Sequence, residues 1–343
     1  MNSPANTTQL LETVRQLFEC GAAAVHRGVV IGGVPWDQKG GSSFTGIVAA
    51  LRDELPKCEL LASLVLDSPQ TAMSAERVPD QNHVFDSLTG LHAASEYCDA
   101  TLLSSFDASR NFSHLMGQGG SSLLDASEMV GRVGLGPIVR NIYLDGCAIG
   151  SVRDIVNVLV PFPSTSFLMS RFSPLLPPGT PGPLPTRESL VDATLCAFSD
   201  PNCSLFEPPI QIPERPMSTK QLATVLSFHG DNVVPSWVHT AFCRLSTERR
   251  RIPMCDGLKG GSKCQISYRS LPGWQQCVHV LTNQSNVRHS LAALAGHGAR
   301  FSWGSHVCGE VEAACSSLTV AAADYGELEV EPDQDQVEES EEY

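Results

Sequence analysis

The sequence predicts an α/β fold, in which a doubly wound, mainly parallel sheet with helices on both faces is followed by an α+β domain and closing helices. Three observations lead there. Apolar runs of strand length alternate with helical repeats from residue 10 to residue 103, the signature of parallel strands joined by crossover helices. A proline-rich segment at 177–185 then breaks the pattern, and the strands beyond it are less regularly spaced. Two last helical stretches lead into a tail without basic residues. The expected division is 1–141 for a partial doubly wound domain, 142–284 for the α+β domain with a core helix, 285–323 for the closing helices and 324–343 for an acidic disordered tail.

Taken in order, Leu10, Leu11, Val14, Leu17 and Phe18 recur at helical spacing after Thr8 as a cap, and Gly28 and Gly33 enclose the buried strand Val29-Val30-Ile31. A polar Gly/Ser turn precedes a helix over 44–55. A strand over 60–66, a helix over 83–97 and a strand over 100–103 follow. One long helix is expected over 128–140 despite its glycines, then a turn at Asp145-Gly146 and a helix over 151–159. Beyond them come a strand from Phe167, a helix over 188–198, strands near 222–228, 265–268 and 277–281, and a helix over 234–245. The closing helices fall near 287–295 and 309–322.

With 343 residues, 42% apolar and 17% charged, the chain has the composition of a globular protein and length enough for two cores. Its polar first eight residues lack the basic and apolar regions of a secretory signal, which predicts a cytoplasmic protein. No apolar run reaches the roughly 18 residues of a membrane span, so no membrane partner is expected. Twelve cysteines without a CxxC pair and ten dispersed histidines predict reduced thiols and no metal site. The net charge of −14 is concentrated in the tail, where 324–343 holds ten acidic residues and no Lys or Arg. Unpaired like charges keep such a segment solvated, attract basic partner proteins and disfavour nucleic acid.

Gly40, Gly41, Ser42 and Ser43 are the candidates for holding phosphate, because backbone N–H groups in a Gly-rich turn and the following helix N-terminus cradle anions. A cap and tight turn with no ligand accounts for the same residues. Lys39 is neither preceded by Gly nor followed by Ser or Thr, so the segment is not a P-loop, and no GxSxG elbow is present. The pattern opens on a helix with no strand ahead of it. Since the first strand and its loop carry the main phosphate contacts of a doubly wound fold, those contacts are expected to be missing.

Leu159-Val160-Pro161-Phe162-Pro163, with Phe167 and Phe172-Ser173-Pro174-Leu175 after it, resembles the LVPYP…F…YAP stretch of tubulins. Leu144-Asp145-Gly146 is similar to the FDG turn of α-tubulin at the family's own distance from that stretch, and Gly230-Asp231-Asn232-Val233-Val234-Pro235 to its GDVVP segment with one residue inserted. Leu17-Phe18-Glu19-Cys20 and Gly40-Gly41-Ser42-Ser43-Phe44-Thr45 fall where the family has a helix ending in Cys and then GGGTGSGFT, and the chain ends Glu341-Glu342-Tyr343, like many α-tubulins. These anchors keep the family order over nearly the whole chain. They identify it as resembling a divergent, N-terminally truncated α-tubulin.

The resemblance implies a GTP site at Gly40, Gly41, Ser42 and Ser43, with magnesium only where GTP binds. Three of the family's loop glycines are side chains here, Ser104-Ser105-Phe106-Asp107 replaces its base-reading VDN segment, and a second base-reading asparagine falls near Glu128. The expected site is therefore degenerate. The family's glutamate that positions water against the GTP of a neighbouring subunit corresponds to Asp154, and a second acid three residues earlier to Ser151. An Asp retains the carboxylate for that work, one methylene shorter; a solvated helix-surface charge is the other reading. Any enzymatic role is thus at most a tubulin-type GTPase acting across an interface. The implied function is a structural constituent of the microtubule cytoskeleton in the cytoplasm. Its partners would be β-tubulin or microtubules, with basic tail-binding proteins and tail-modifying enzymes at Tyr343. The alternative is a non-polymerising pseudo-tubulin that binds or regulates tubulin.

Overall fold

The computed structural model describes residues 28–33, 41–66, 81–117, 127–144, 147–176, 185–206, 220–247 and 261–328, with positions 12 and 16 besides. Of the expected elements, most of the first helix, the Asp145-Gly146 turn, the segment 177–184 and the tail from 329 lie outside these residues. The described strands are β1 (Val29–Gly33), β2 (Leu60–Leu66), β3 (Ala100–Ser105), β4 (Phe167–Ser173), β5 (Gln221–Gly230), β6 (Ser262–Ser267) and β7 (Gln276–Gln284). They form one mixed sheet in the order β1-β2-β3-β4-β7-β5-β6, parallel from β1 to β4, antiparallel on both sides of β7 and parallel again between β5 and β6.

Residues of the inner strands β2, β3, β4, β7 and β5 are buried on both faces, as the near-continuous apolar runs require, while the edge strands β1 and β6 are partly exposed. On β2, Leu60, Ala62, Leu64 and Leu66 enter one core cluster and Leu61 the opposite one; on β4, Phe167 and Met169 divide from Leu168 in the same way. Helices α1 (Gly41–Glu54) and α2 (Gln81–Tyr97) connect β1 to β2 and β2 to β3. Both cover the first face, because two successive right-handed crossovers that step in one direction return on one side. Phe44, Val48 and Leu51 form the buried stripe of α1 at helical spacing. The closing helices α8 (Val287–Arg300) and α9 (Ser305–Glu327) pack on α2 over the same face, α9 through Val311, Ala314, Leu318, Ala321 and Tyr325. Gly298 allows the approach, since a Cβ there would stand 2.5 Å from Leu88 Cδ1 and 2.7 Å from Cys315 Sγ.

The second face is covered by a π-helical segment, Val130–Leu135, that runs directly into α4 (Gly136–Tyr143), and by α5 (Val152–Leu159). The sequence predicts one plain α-helix over 128–140; the structure widens its first half into a π-helix that contains Gly131 and Gly134. Helix α3 (Phe106–Leu115) has no counterpart in the sequence expectations. Ser105 caps it by accepting from Ala108 N at 3.2 Å, and Phe112 joins Phe172, Leu205 and Trp274 in a separate apolar cluster. Helices α6 (Arg187–Ser199) and α7 (Pro235–Thr247) complete the cover over β5 and β7 through Leu226, Phe228, Val278 and Val280. No helix among the described residues is long and apolar enough to cross a membrane.

Candidate functional site

The two groups of candidate residues lie at opposite ends of the sheet. Gly41, Ser42 and Ser43 form the first turn of α1, beyond the carboxyl end of β1, while Gly40 lies outside the described residues. That turn carries no acidic residue, and its N–H groups lie at the positive end of the helix dipole. The direction of α1 is fixed at its other end. Arg52 donates to Asp99 Oδ2 at 2.8 Å, Tyr97 O at 2.8 Å and Cys58 O at 3.1 Å, which ties the helix C-terminus to the amino ends of β2 and β3.

Asp154 sits at the amino ends of the strands. Helix α5 docks there because Gly28, with φ +102°, presents no side chain: a Cβ at Gly28 would lie 2.5 Å from Val152 Cβ. Arg153 pairs with Glu59 just ahead of β2, and the Tyr143 hydroxyl donates to Gly28 O. The three steps of chain from Ser151 to Asp154 build a reciprocal cap. Ser151 Oγ accepts from Asp154 N at 3.1 Å and donates to Asp154 Oδ2 at 2.6 Å, and Gly150 N donates to the same oxygen at 3.2 Å. Oδ1 makes no hydrogen bond with the described residues, and the side chain is half-buried. Ser151 is therefore the cap of the helix on which Asp154 is carried. Along β1 alone the two ends are separated by about 13 Å at about 3.3 Å per residue, so Asp154 cannot reach an anion held at Gly41–Ser43 of its own chain.

Most of the segment that replaces the base-reading one has local duties, while the buried Ser104 Oγ has no hydrogen-bond partner. Ser105 Oγ is spent on the α3 cap, Phe106 and Asp107 occupy the first turn of that helix, and Asp107 pairs with Arg110 at 3.7 Å. Glu128 is exposed. Gly33 likewise makes room for protein: a Cβ there would lie 2.7 Å from Phe44 Cδ2. Among the described residues, a helix end suited to phosphate is present and a set of groups suited to a base is not. Loops 34–40, 67–80 and 118–126, which lie beyond β1, β2 and α3, fall outside those residues.

The remaining motif residues are structural. After Leu159 ends α5, Pro161 and Pro163 carry the chain to β4, and Asn283 Nδ2 clasps the segment by donating to Leu159 O at 2.8 Å and Thr165 O at 2.6 Å. The Tyr325 hydroxyl lies 3.1 Å from both Phe167 N and Phe167 O and 3.0 Å from Asn283 Oδ1, locking α9 onto the same junction. At the end of β5, the Asp231 carboxylate accepts from Ser270 N and Ser270 Oγ, each at 2.9 Å, and the Ser270 backbone bond holds its pKa below the usual value.

The fold and these positions define an α/β protein with one through-running sheet and candidate sites at its two ends. Comparison with known proteins gives the chain 24% identity over 264 residues to the tubulin alpha-3 chain of Zea mays, covering 72% of this chain and 54% of that relative. This is a distant tubulin homology, and the chain spans about half the length of the curated relative it matches. No family model matches the chain.

Proposed function

We propose that the chain is a tubulin-like structural subunit that associates end to end with tubulin in the cytoplasmic microtubule cytoskeleton and carries a degenerate GTP site. The observation that carries this reading is the separation of the sites. A phosphate-facing helix end lies at the carboxyl edge of the sheet and a carboxylate at the amino edge, each unable to serve the other within one chain. Head-to-tail stacking is the arrangement in which such a pair meets, with the Asp154 edge of one subunit against the nucleotide edge of the next. In that setting Asp154 orients or deprotonates water at a neighbour's GTP, through the oxygen that its own cap leaves unengaged. GTP, with magnesium, would be held by the backbone of Gly40, Gly41, Ser42 and Ser43, and its own binding is weak.

One observation favours the second reading, a non-polymerising pseudo-tubulin that regulates tubulin by binding it. Ser105 and Asp107, at the position of the base-reading segment, are committed to helix capping and an ion pair. Co-sedimentation with preformed microtubules and with soluble tubulin separates the two. Pelleting with the polymer supports a structural subunit, a complex with soluble tubulin alone supports the regulator, and binding to neither sinks both.

A further inference from the structure

At the carboxyl end of α6, far along the chain from the candidate site, two sulfurs and a carboxylate converge. Cys196 Sγ lies 3.7 Å from Cys203 Sγ and within 4.0 Å of Asp200 Oδ2, and the three ligand atoms all lie within 4.8 Å of one another. The backbone places them. Asp200 N donates to Cys196 O at 2.9 Å as α6 ends, and Asp200 Oδ1 accepts from Asn202 N at 2.9 Å, turning the chain through the short helix Pro201–Cys203 so that Cys203 returns beside Cys196. Cys203 is fully buried, whereas Cys196 and Asp200 are half-buried, which leaves the cluster a solvent approach.

We propose that Cys196, Cys203 and Asp200 form a binding site for one thiophilic divalent cation, of which zinc is the type, with a fourth position left to water. The spacing of the two sulfurs fits as it stands, and Asp200 closes the site by a small side-chain movement. Two sulfurs each about 2.3 Å from a tetrahedral zinc stand about 3.8 Å apart, close to the 3.7 Å present. A disulfide would need them at about 2.05 Å. The charges also balance. Binding releases the two thiol protons, so two thiolates and one carboxylate face the divalent cation and the Arg171 guanidinium, and the sum is zero. Arg171 is a second, independent sign of an anionic site. It donates to Ala197 O and Phe198 O at 3.1 and 3.2 Å, while its buried Nε has no hydrogen-bond partner; burial lowers its pKa, and the neighbouring Cys203 and Asp200 oppose that shift. The negative end of the α6 dipole adds to the field that attracts a cation.

The test uses the full chain, reduced and metal-free, titrated first with Co²⁺ and then with Zn²⁺. The expected result is one tetrahedral cobalt per chain with thiolate charge-transfer absorption, displaced by one equivalent of zinc. Cys196→Ser, at the half-exposed ligand, weakens binding by more than the roughly 10- to 100-fold that outer partners of a metal site cost. Cys243→Ser and Cys264→Ser, at exposed thiols elsewhere, leave it unchanged. Absence of the cobalt–thiolate band, or a band that survives in a folded Cys196→Ser variant, overturns the proposal. So does a Cys196–Cys203 disulfide formed by mild oxidation in a chain that takes up no metal, which would make the pair a redox couple. If Cys196→Ser does not fold, alkylation of the parent chain with and without zinc, mapped by mass spectrometry, decides instead: protection of both Cys196 and Cys203 supports the site, and equal labelling refutes it.

Discussion

Lowering the pH from 7.5 to 5 should cost this protein about 2 kcal/mol through one residue, His279. Its ring lies in the middle of the sheet on β7, paired with Ser227 on β5 and Phe172 on β4, fully buried, with Nε2 2.9 Å from Ser170 Oγ. Burial lowers its pKa from 6.5 to about 3, the neighbouring His229 adding to the shift and the Gly134 backbone opposing it. The folded state therefore holds the neutral ring while the unfolded chain takes up a proton below pH 6.5. For a depressed pKa the stability is present above 6.5 and is lost as the pH falls towards 3. At pH 5 the unfolded form gains a factor of about 30 in proton binding and the folded form almost none, which at about 1.4 kcal/mol per tenfold is about 2 kcal/mol. Because the folded value lies well below 5, this loss is set by the unfolded one. The assay is urea unfolding of the parent and of His279→Gln at both pH values, since carboxylates titrating in the same range act alike in the two proteins. The parent should lose about 2 kcal/mol more than the variant. Equal losses would refute the burial argument.

Three further outcomes follow from the same structure. Tyr325→Phe removes the hydroxyl shared by Phe167 and Asn283 in a sealed site and should cost about 1–3 kcal/mol, the desolvation penalty of an unpaired buried group; a loss below about 0.5 kcal/mol in urea unfolding would contradict the locking role of α9. Gly28→Ala forces a side chain into a left-handed backbone against Val152 and the Glu59 carbonyl, so strain and overpacking together should cost about 2–5 kcal/mol and release α5 from the amino edge; a fully stable variant would show that α5 docks elsewhere. In isothermal titration the full chain should bind GTP weakly or not at all, and a dissociation constant below about 1 μM, or about −8 kcal/mol, would show the site to be intact.

Much of the sheet was legible in the sequence because buried strands in a parallel sheet read as apolar runs. The strand expected over 60–66 has those bounds, and that over 222–228 extends to Gln221–Gly230 because all ten residues are buried. Helix α3 was legible and passed over: Ser105 followed by Asp107, Ala108 and Phe112 carries both a cap and an apolar face, and the stretch was weighed only as a replacement for the family's base-reading segment. The π-helical widening before α4 left no periodic signal, since Gly131 and Gly134 have no side chain to mark a face. Pairing was the hardest to foresee. Hydrophobic period places a residue on a face and says nothing of its neighbour strand, so neither the continuation of β4 into β7 nor the meeting of Cys196 with Cys203 could be read from spacing. For the same reason the sequence named Asp154 and Gly41–Ser43 without revealing that they lie at opposite ends of the sheet.

End-to-end association with tubulin is tested most directly by altering the amino edge without disturbing the fold. Asn157 is exposed on α5 one turn beyond Arg153, and Asp192 is exposed in the middle of α6, a helix that takes no part in either candidate site. The measurement is co-sedimentation with tubulin polymer of the parent, Asn157→Arg and Asp192→Lys, each checked for an unchanged circular dichroism spectrum. The account predicts that the parent and Asp192→Lys pellet alike while Asn157→Arg remains largely in the supernatant. A parent that stays in the supernatant at every polymer concentration, or an Asn157→Arg variant that pellets as the parent does, would contradict it.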